Sequence, residues 1–400
     1  MTLQTSMTTR VPLWLLVLVT ISGTLAMHMF VPAMPAASRS LGASVGTMQT
    51  TISIYMVGLA TGQLVYGPLS DALGRKPLLL VGLALYTAGS LAAALSSDVQ
   101  MLIAARLFQA LGGCAGIALG RAIVRDMSLP EQAVRDLALL NLLVMVGPGL
   151  APLLGAGIAM LFGWRSIFVL LAMLGVITFA FTWRRLPETG CPTGSFRIGA
   201  LGSDYILLLR SPAFLGFALS GACATTSMYA FITAAPFVFT FQLHRSLQEV
   251  GLCLGMLTIG VALGNALTRH FIGKISSGRL VMIGTCISMV SALILLGIIV
   301  SGKMTVFTIT GLAAIFALGG GITSPAAMTR ALSVDAKLIG SAAGMYGCTQ
   351  MAVGAICSSL VGISPNPALA SASVLAGAAM LGQAGLWLAL RCKPASQAAS

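Results

Sequence analysis

The chain has 400 residues, 57% of them hydrophobic and only 8% charged, with a formal net charge of +13. Soluble domains carry about a quarter charged residues, so this composition excludes a soluble fold and reads as a polytopic, all-α membrane protein. Apolar stretches of about 20 residues, enough to cross a bilayer as helix, fall at 12–35, 47–69, 77–96, 99–124, 136–162, 165–186, 212–236, 249–270, 279–301, 304–328, 336–363 and 367–391. The first run resembles a signal-peptide core from Val11 to Met27, but it continues through Pro35 and further spans follow, so it is expected to be a retained helix.

Basic residues set the topology. The loop Gly67 to Pro77 carries Asp71, Arg75 and Lys76 between two apolar runs and must sit in water. If it is cytoplasmic, seventeen of the 22 Lys and Arg fall on that side. Arg39, Arg165, Arg245 and Lys303 fall outside, and Arg106 lies within the membrane. The positive-inside rule then places both termini in the cytoplasm, and a multi-pass protein of the cell's inner (plasma) membrane is expected. Bases spread over short loops in this way report topology and give no reason to expect nucleic acid.

The longest polar connection, around 187–211, divides the chain into a six-helix half at 1–186 and another at 212–391, with a tail at 392–400. The junction Gly264 to Lys274 loosely repeats Gly62 to Lys76, as in repeat-built transporters. The eight cysteines form no CxxC pair and have no metal-ligand histidine nearby. No metal or cofactor is expected, and with no HExxH, GxSxG or paired buried acids no enzyme either.

Four stretches carry function. In the first loop, Arg75 can bridge Asp71 and Asp126, the acid at the end of the fourth span, while glycines let the helix ends approach. Arg106, followed by Gln109 and Gly112, is the one charge buried in a span, at roughly 2.5 to 3.5 kcal/mol on insertion scales, so it should face a cavity or a partner. The fifth span holds Gly147, Pro148, Ala151, Pro152 and Gly155, with small residues every four positions and two prolines. In the first span Thr20, Thr24 and His28 form a polar ridge. His28, Tyr55 and Arg106 each lie roughly 10 Å below the outer surface at 1.5 Å per residue, so Thr24, His28, Tyr55, Arg106 and Gln109 are the expected lining of one cavity.

These stretches resemble the signature segments of the major facilitator superfamily: the loop after span two, the fourth-span Arg motif and the fifth-span motif of its exporters, where two family glycines are Ala151 and Ala156 here. Met27 to Pro35, Pro187-Glu188-Thr189 and Ala235-Pro236-Phe237 are similar to the Bcr/CflA type of drug:proton antiporter. The resemblance implies a twelve-helix fold working by alternating access, and Gly67, Asp71, Gly74, Arg75 and Asp126 as a gating latch. It implies Gly147, Ala151, Pro152 and Gly155 as antiporter-type helix packing, and proton-coupled efflux of small molecules such as chloramphenicol-like or bicyclomycin-like compounds. One departure stands out. His28 occupies the position of the family's aspartate, and all nine acids fall in loops or at span ends. A cavity with Arg106 and no carboxylate should favour neutral, zwitterionic or anionic compounds. The missing acid keeps open an uncoupled or inward-directed carrier of an endogenous metabolite. A monomer in the lipid bilayer is expected.

Overall fold

A computed structural model describes residues 12–127, 140, 147, 149–190, 198–334 and 338–391. They form thirteen helices: α1 Leu13–Ser40, α2 Val45–Leu73, α3 Arg75–Ala94, α4 Val99–Met127, α5 Gly149–Phe162, α6 Arg165–Arg185, α7 Ile198–Leu209, α8 Pro212–Gln242, α9 Leu247–Phe271, α10 Ser277–Val300, α11 Val306–Leu332, α12 Ile339–Val361 and α13 Pro367–Arg391. Ten of them are long and apolar enough to cross a membrane. α12, at 23 residues, has the length, and α5 is a shorter apolar helix. Together these are consistent with the twelve expected spans, and most of the expected fifth span ahead of Gly149 lies outside the described residues. The expected tail 392–400 lies outside the described residues.

Hydroxyl side chains set several helix starts. Ser44, Ser211, Ser246 and Thr305 each accept the N–H three residues on, which satisfies a donor the first turn leaves unpaired. Large apolar residues such as Leu161, Phe162, Val300 and Phe307 stay on the outside, where hydrocarbon replaces water as the solvent.

The helix contacts repeat. α4 packs on α1, α2 and α3, and α11 packs on α8, α9 and α10, so the fourth span of each set of six is its central member. The junctions repeat as well. Gly74, with φ 98°, separates α2 from α3, and Gly273, with φ 88°, follows α9. Both adopt a left-handed backbone that glycine alone accepts without strain.

The two sets meet along α2 and α12. Gly46 faces the Gly362 carbonyl at one end of the bundle, Met56 enters the notch at Gly354 in the middle, and the Gln63 amide enters the notch at Gly347 towards the other end. The end carrying Arg75 is called the latch end below, and the opposite one the far end.

The structure corrects two expectations. The Gly67 to Pro77 stretch is mostly helix, because α2 continues to Leu73 and only Gly74 breaks it. Pro68 sits inside α2 and removes the N–H that would have bonded the Leu64 carbonyl. Tyr205 supplies the missing donor, its hydroxyl 2.9 Å from Leu64 O. Burial pushes the Tyr205 phenol above its ordinary pKa, which keeps it a donor. Tyr205 belongs to the second correction: the connection read as polar contains a helix, α7. Its apolar residues recur at helical spacing, Leu208 is buried, and Pro212 starts the next helix. Asp204 of α7 accepts from the Ser341 hydroxyl of α12 at 3.2 Å, so α7 is tied to both sets of spans.

Candidate functional site: a closed latch and an uncharged central cavity

At the latch end, the left-handed Gly74 turns the chain so that Arg75 becomes the first residue of α3 and points back across α2. Its guanidinium lies 2.8 Å from Asp71 Oδ1 and 3.1 Å from Asp126 Oδ2, and it also donates to the Ser70 hydroxyl. The two predicted partners, Asp71 and Asp126, thus meet around one guanidinium, whose planar fork can hold several acceptors.

A fourth member went unread in the sequence. Glu188, in the turn after α6, accepts the backbone N–H of Arg75 at 2.8 Å and that of Lys76 at 3.2 Å. Gly74 matters here a second time, since a methyl on it would come within 2.7 Å of Glu188 Oε2. Gly67 behaves differently from expectation: a methyl there would meet no described residue within 4 Å, so among the described residues no close approach depends on it.

Arg106 is fully buried, and its surroundings belong to α1 to α6. Nη1 donates to the Ala26 carbonyl at 2.9 Å and to Gln109 Oε1 at 2.6 Å. The guanidinium stacks over Tyr55, 4.1 Å from the ring centroid, with Phe30 and Phe168 at 5.6 and 5.8 Å. Gln109 donates onward to Ser90 at 2.8 Å, and Tyr55 donates to the Gly23 carbonyl at 2.7 Å. Aromatic faces stabilise a cation that has no carboxylate within reach among the described residues. The cluster clamps α1, α2, α3 and α4 together.

A cavity of about 320 Å³ lies between the two sets of spans. Thr24, His28 and Val31 of α1 form one wall; Thr225 and Tyr229 of α8, Thr258 and Asn265 of α9, and Ser324 of α11 are among the residues opposite. Of the five residues expected to line one cavity, only Thr24 and His28 reach it. Tyr55, Arg106 and Gln109 share its depth but turn into the α1 to α6 interior, because their helices are rotated towards one another. Thr20 also stays inside, buried where a methyl on Gly120 would strike its hydroxyl. No described residue lining the cavity carries a full charge.

His28 joins the two walls. Nδ1 lies 2.8 Å from the Thr24 carbonyl and Nε2 lies 3.3 Å from the Tyr229 hydroxyl. The pair is separated by 201 positions in the chain, and no motif marks Tyr229.

α5 seals one side. Methyl groups on Gly147 and Gly155 would strike Ile21 and the Met29 carbonyl of α1. On another face, Gly149 approaches Thr258, and the Pro152 carbonyl approaches Gly251 of α9. Ala151 and Pro152 are buried, while Pro148 lies outside the described residues. A second cavity of about 600 Å³ lies between α5 and α9 and shares Thr258 and Asn265 with the first.

The family profile described as Major Facilitator Superfamily matches residues 16–359. The chain is 26% identical to a bicyclomycin resistance protein homolog of Haemophilus influenzae, over 83% of this chain and 84% of that one. It is 29% identical to the multidrug transporter MdfA of Yersinia pestis, over 77% and 76%. Among solved structures, a peptide transporter in complex with sulfate superposes with a TM-score of 0.76 at 17% identity, covering 95% of this chain and 94% of that chain. That likeness is one of fold alone.

Proposed function

Because the chain belongs to the major facilitator superfamily, we propose that it exports small uncharged molecules across the cell's inner membrane by alternating access. Residues 1–186 and 212–391 then move as two halves, the latch end faces the cytoplasm together with both termini, and 187–211 is the cytoplasmic linker. The observation that carries this reading is the cavity between the halves, with apolar walls, several hydroxyls and no charged lining side chain among the described residues. The likeness to relatives named for bicyclomycin resistance and multidrug transport supports export. Gly67 aside, the latch residues gate the cytoplasmic side, and the small residues of α5 hold the packing expected of an exporter.

The preference for anionic compounds rested on Arg106 in the cavity wall. Since Arg106 is sealed inside the first six spans, neutral and zwitterionic compounds remain as the proposed class. Proton influx is the proposed driving force, with His28 the titratable group facing the cavity. The second reading, an uncoupled or inward-directed carrier, is favoured by histidine at the acid's position. Counterflow of chloramphenicol and bicyclomycin in proteoliposomes, with and without a pH gradient, separates the two. Export that ignores the gradient rejects coupling, and accumulation in the direction of uptake rejects efflux.

A further inference from the structure

His28 and Tyr229 form a hydrogen bond across the cavity whose polarity can be worked out. A backbone carbonyl only accepts, so the 2.8 Å contact with Thr24 O requires the hydrogen on His28 Nδ1. A neutral ring with Nδ1–H presents Nε2 as a bare acceptor, and the Tyr229 hydroxyl is the donor that meets it. At 3.3 Å this bond is longer than the 2.7 to 2.8 Å typical of a hydroxyl donor, so it is weakly held. The two rings, with centroids 5.9 Å apart, both stand in the cavity wall, one on α1 and the other on α8. The Thr24 hydroxyl is already turned to the Ile21 carbonyl at 2.9 Å and does not compete as a donor.

We propose that His28 Nε2 is the recognition point of the cavity, and that an uncharged substrate bearing an O–H or N–H donor displaces Tyr229 from it. This rests on the transport reading and names its substrate class. Tyr229 occupies Nε2 and hydrogen-bonds α8 to α1. A substrate whose donor reaches Nε2 at a better distance takes that place, and α8 loses this hydrogen bond to α1 as the substrate binds. Specificity follows from the acceptor: a quaternary or aromatic cation without a donor gains nothing from a neutral imidazole, and no carboxylate among the described lining residues offers it a partner.

The test uses the full chain in lipid nanodiscs with ¹⁵N-labelled histidine, chloramphenicol as the neutral donor-bearing probe and tetraphenylphosphonium, which has no donor, as the cationic one. Tetraphenylphosphonium should leave the His28 resonance unmoved, and a shift like that of chloramphenicol overturns the proposal. His28 should show the Nδ1–H tautomer with a hydrogen-bonded Nε2. Tyr229→Phe, which keeps the ring, should move the Nε2 resonance to its free position, and chloramphenicol should move it back. Chloramphenicol should bind Tyr229→Phe about two-fold more tightly than wild type, since an internal competitor at the weak end of the hydrogen-bond range is gone. His28→Phe should bind it at least ten-fold more weakly. His28→Gln, whose amide oxygen restores an acceptor, should recover most of that loss. A hydrogen found on Nε2 in the wild type, a His28 resonance that chloramphenicol leaves unmoved, or chloramphenicol binding to no form overturns the proposal. Normal chloramphenicol flux through His28→Phe sinks the recognition point and leaves the transport reading standing. Binding with the expected shifts but no flux in proteoliposomes does the reverse.

Discussion

Glu188 Oε1 accepts the backbone N–H of Arg75 at 2.8 Å, so a carboxylate from the turn after α6 caps the first turn of α3. α3 has no other side-chain cap, because its N-cap residue is Gly74. A negative group at this end also meets the positive end of the helix dipole. Glu188→Ala is expected to lose about 1 kcal/mol, the usual worth of a cap, and to lower the melting temperature of the purified protein. Glu188→Gln should keep part of the effect. An alanine variant that melts with the wild type would remove Glu188 from the latch.

Arg75 holds Asp71 through Nη2 and Asp126 through Nε of its guanidinium. Arg75→Ala is expected to cut flux strongly while the folded protein still reaches the membrane. Arg75→Lys should recover it only in part, since a point charge cannot serve both carboxylates in the same geometry. Flux in proteoliposomes, normalised to folded protein, decides this. Wild-type rates in the alanine variant would reduce the three residues to an ordinary surface cluster.

Arg106 is clamped between Tyr55, Gln109 and the Ala26 carbonyl. Arg106→Ala opens a cavity and leaves Gln109 Oε1 unpaired, so a loss of about 2 kcal/mol or more is expected. Arg106→Lys keeps the charge but loses the stacked plane and should not restore the melting temperature. Arg106→Met fills the space without charge and should come closer to wild-type stability. If Arg106→Met is stable and transports normally, the residue is a structural clamp with no part in coupling.

Two glycines separate stability from conformational balance. Gly155 packs on the Met29 carbonyl within the first six spans, and Gly46 packs on the Gly362 carbonyl between the two sets. Gly155→Ala should therefore lower the melting temperature sharply, because neither backbone can give way cheaply. Gly46→Ala should leave it nearly unchanged while raising the reactivity of a cysteine placed at the far end of the cavity. The opposite pattern would mean that the two sets do not separate at Gly46.

The spans and their ends were readable because apolar run length, serine and threonine caps, and glycine or proline breaks act over a few residues. The latch was readable for the same reason at Asp71 and Arg75, which are four positions apart. The helix that carries each of His28, Tyr55 and Arg106 was readable, since it follows from apolar run length. Direction was not, because the rotation of each helix is set by neighbours distant in sequence, and this is why Arg106 was expected in the cavity that Tyr229 lines instead. α7 was hidden by Gly199 and Gly202, two weak helix formers in a short segment, whose helix is held in place by Tyr205 and Leu208. Glu188 had no signal beyond its place in a short motif.

The Leu64 carbonyl left open by Pro68 and filled by Tyr205 has a consequence for making the protein in two pieces. A gene divided just ahead of Ile198 yields a second polypeptide that begins with its own docking peg, while the socket stays on the first. The peg seats without any continuity of chain, so co-expressed fragments divided there should find each other and recover transport. Fragments divided after Leu209 leave peg and socket on the same piece, and their reassembly should be the poorer of the two.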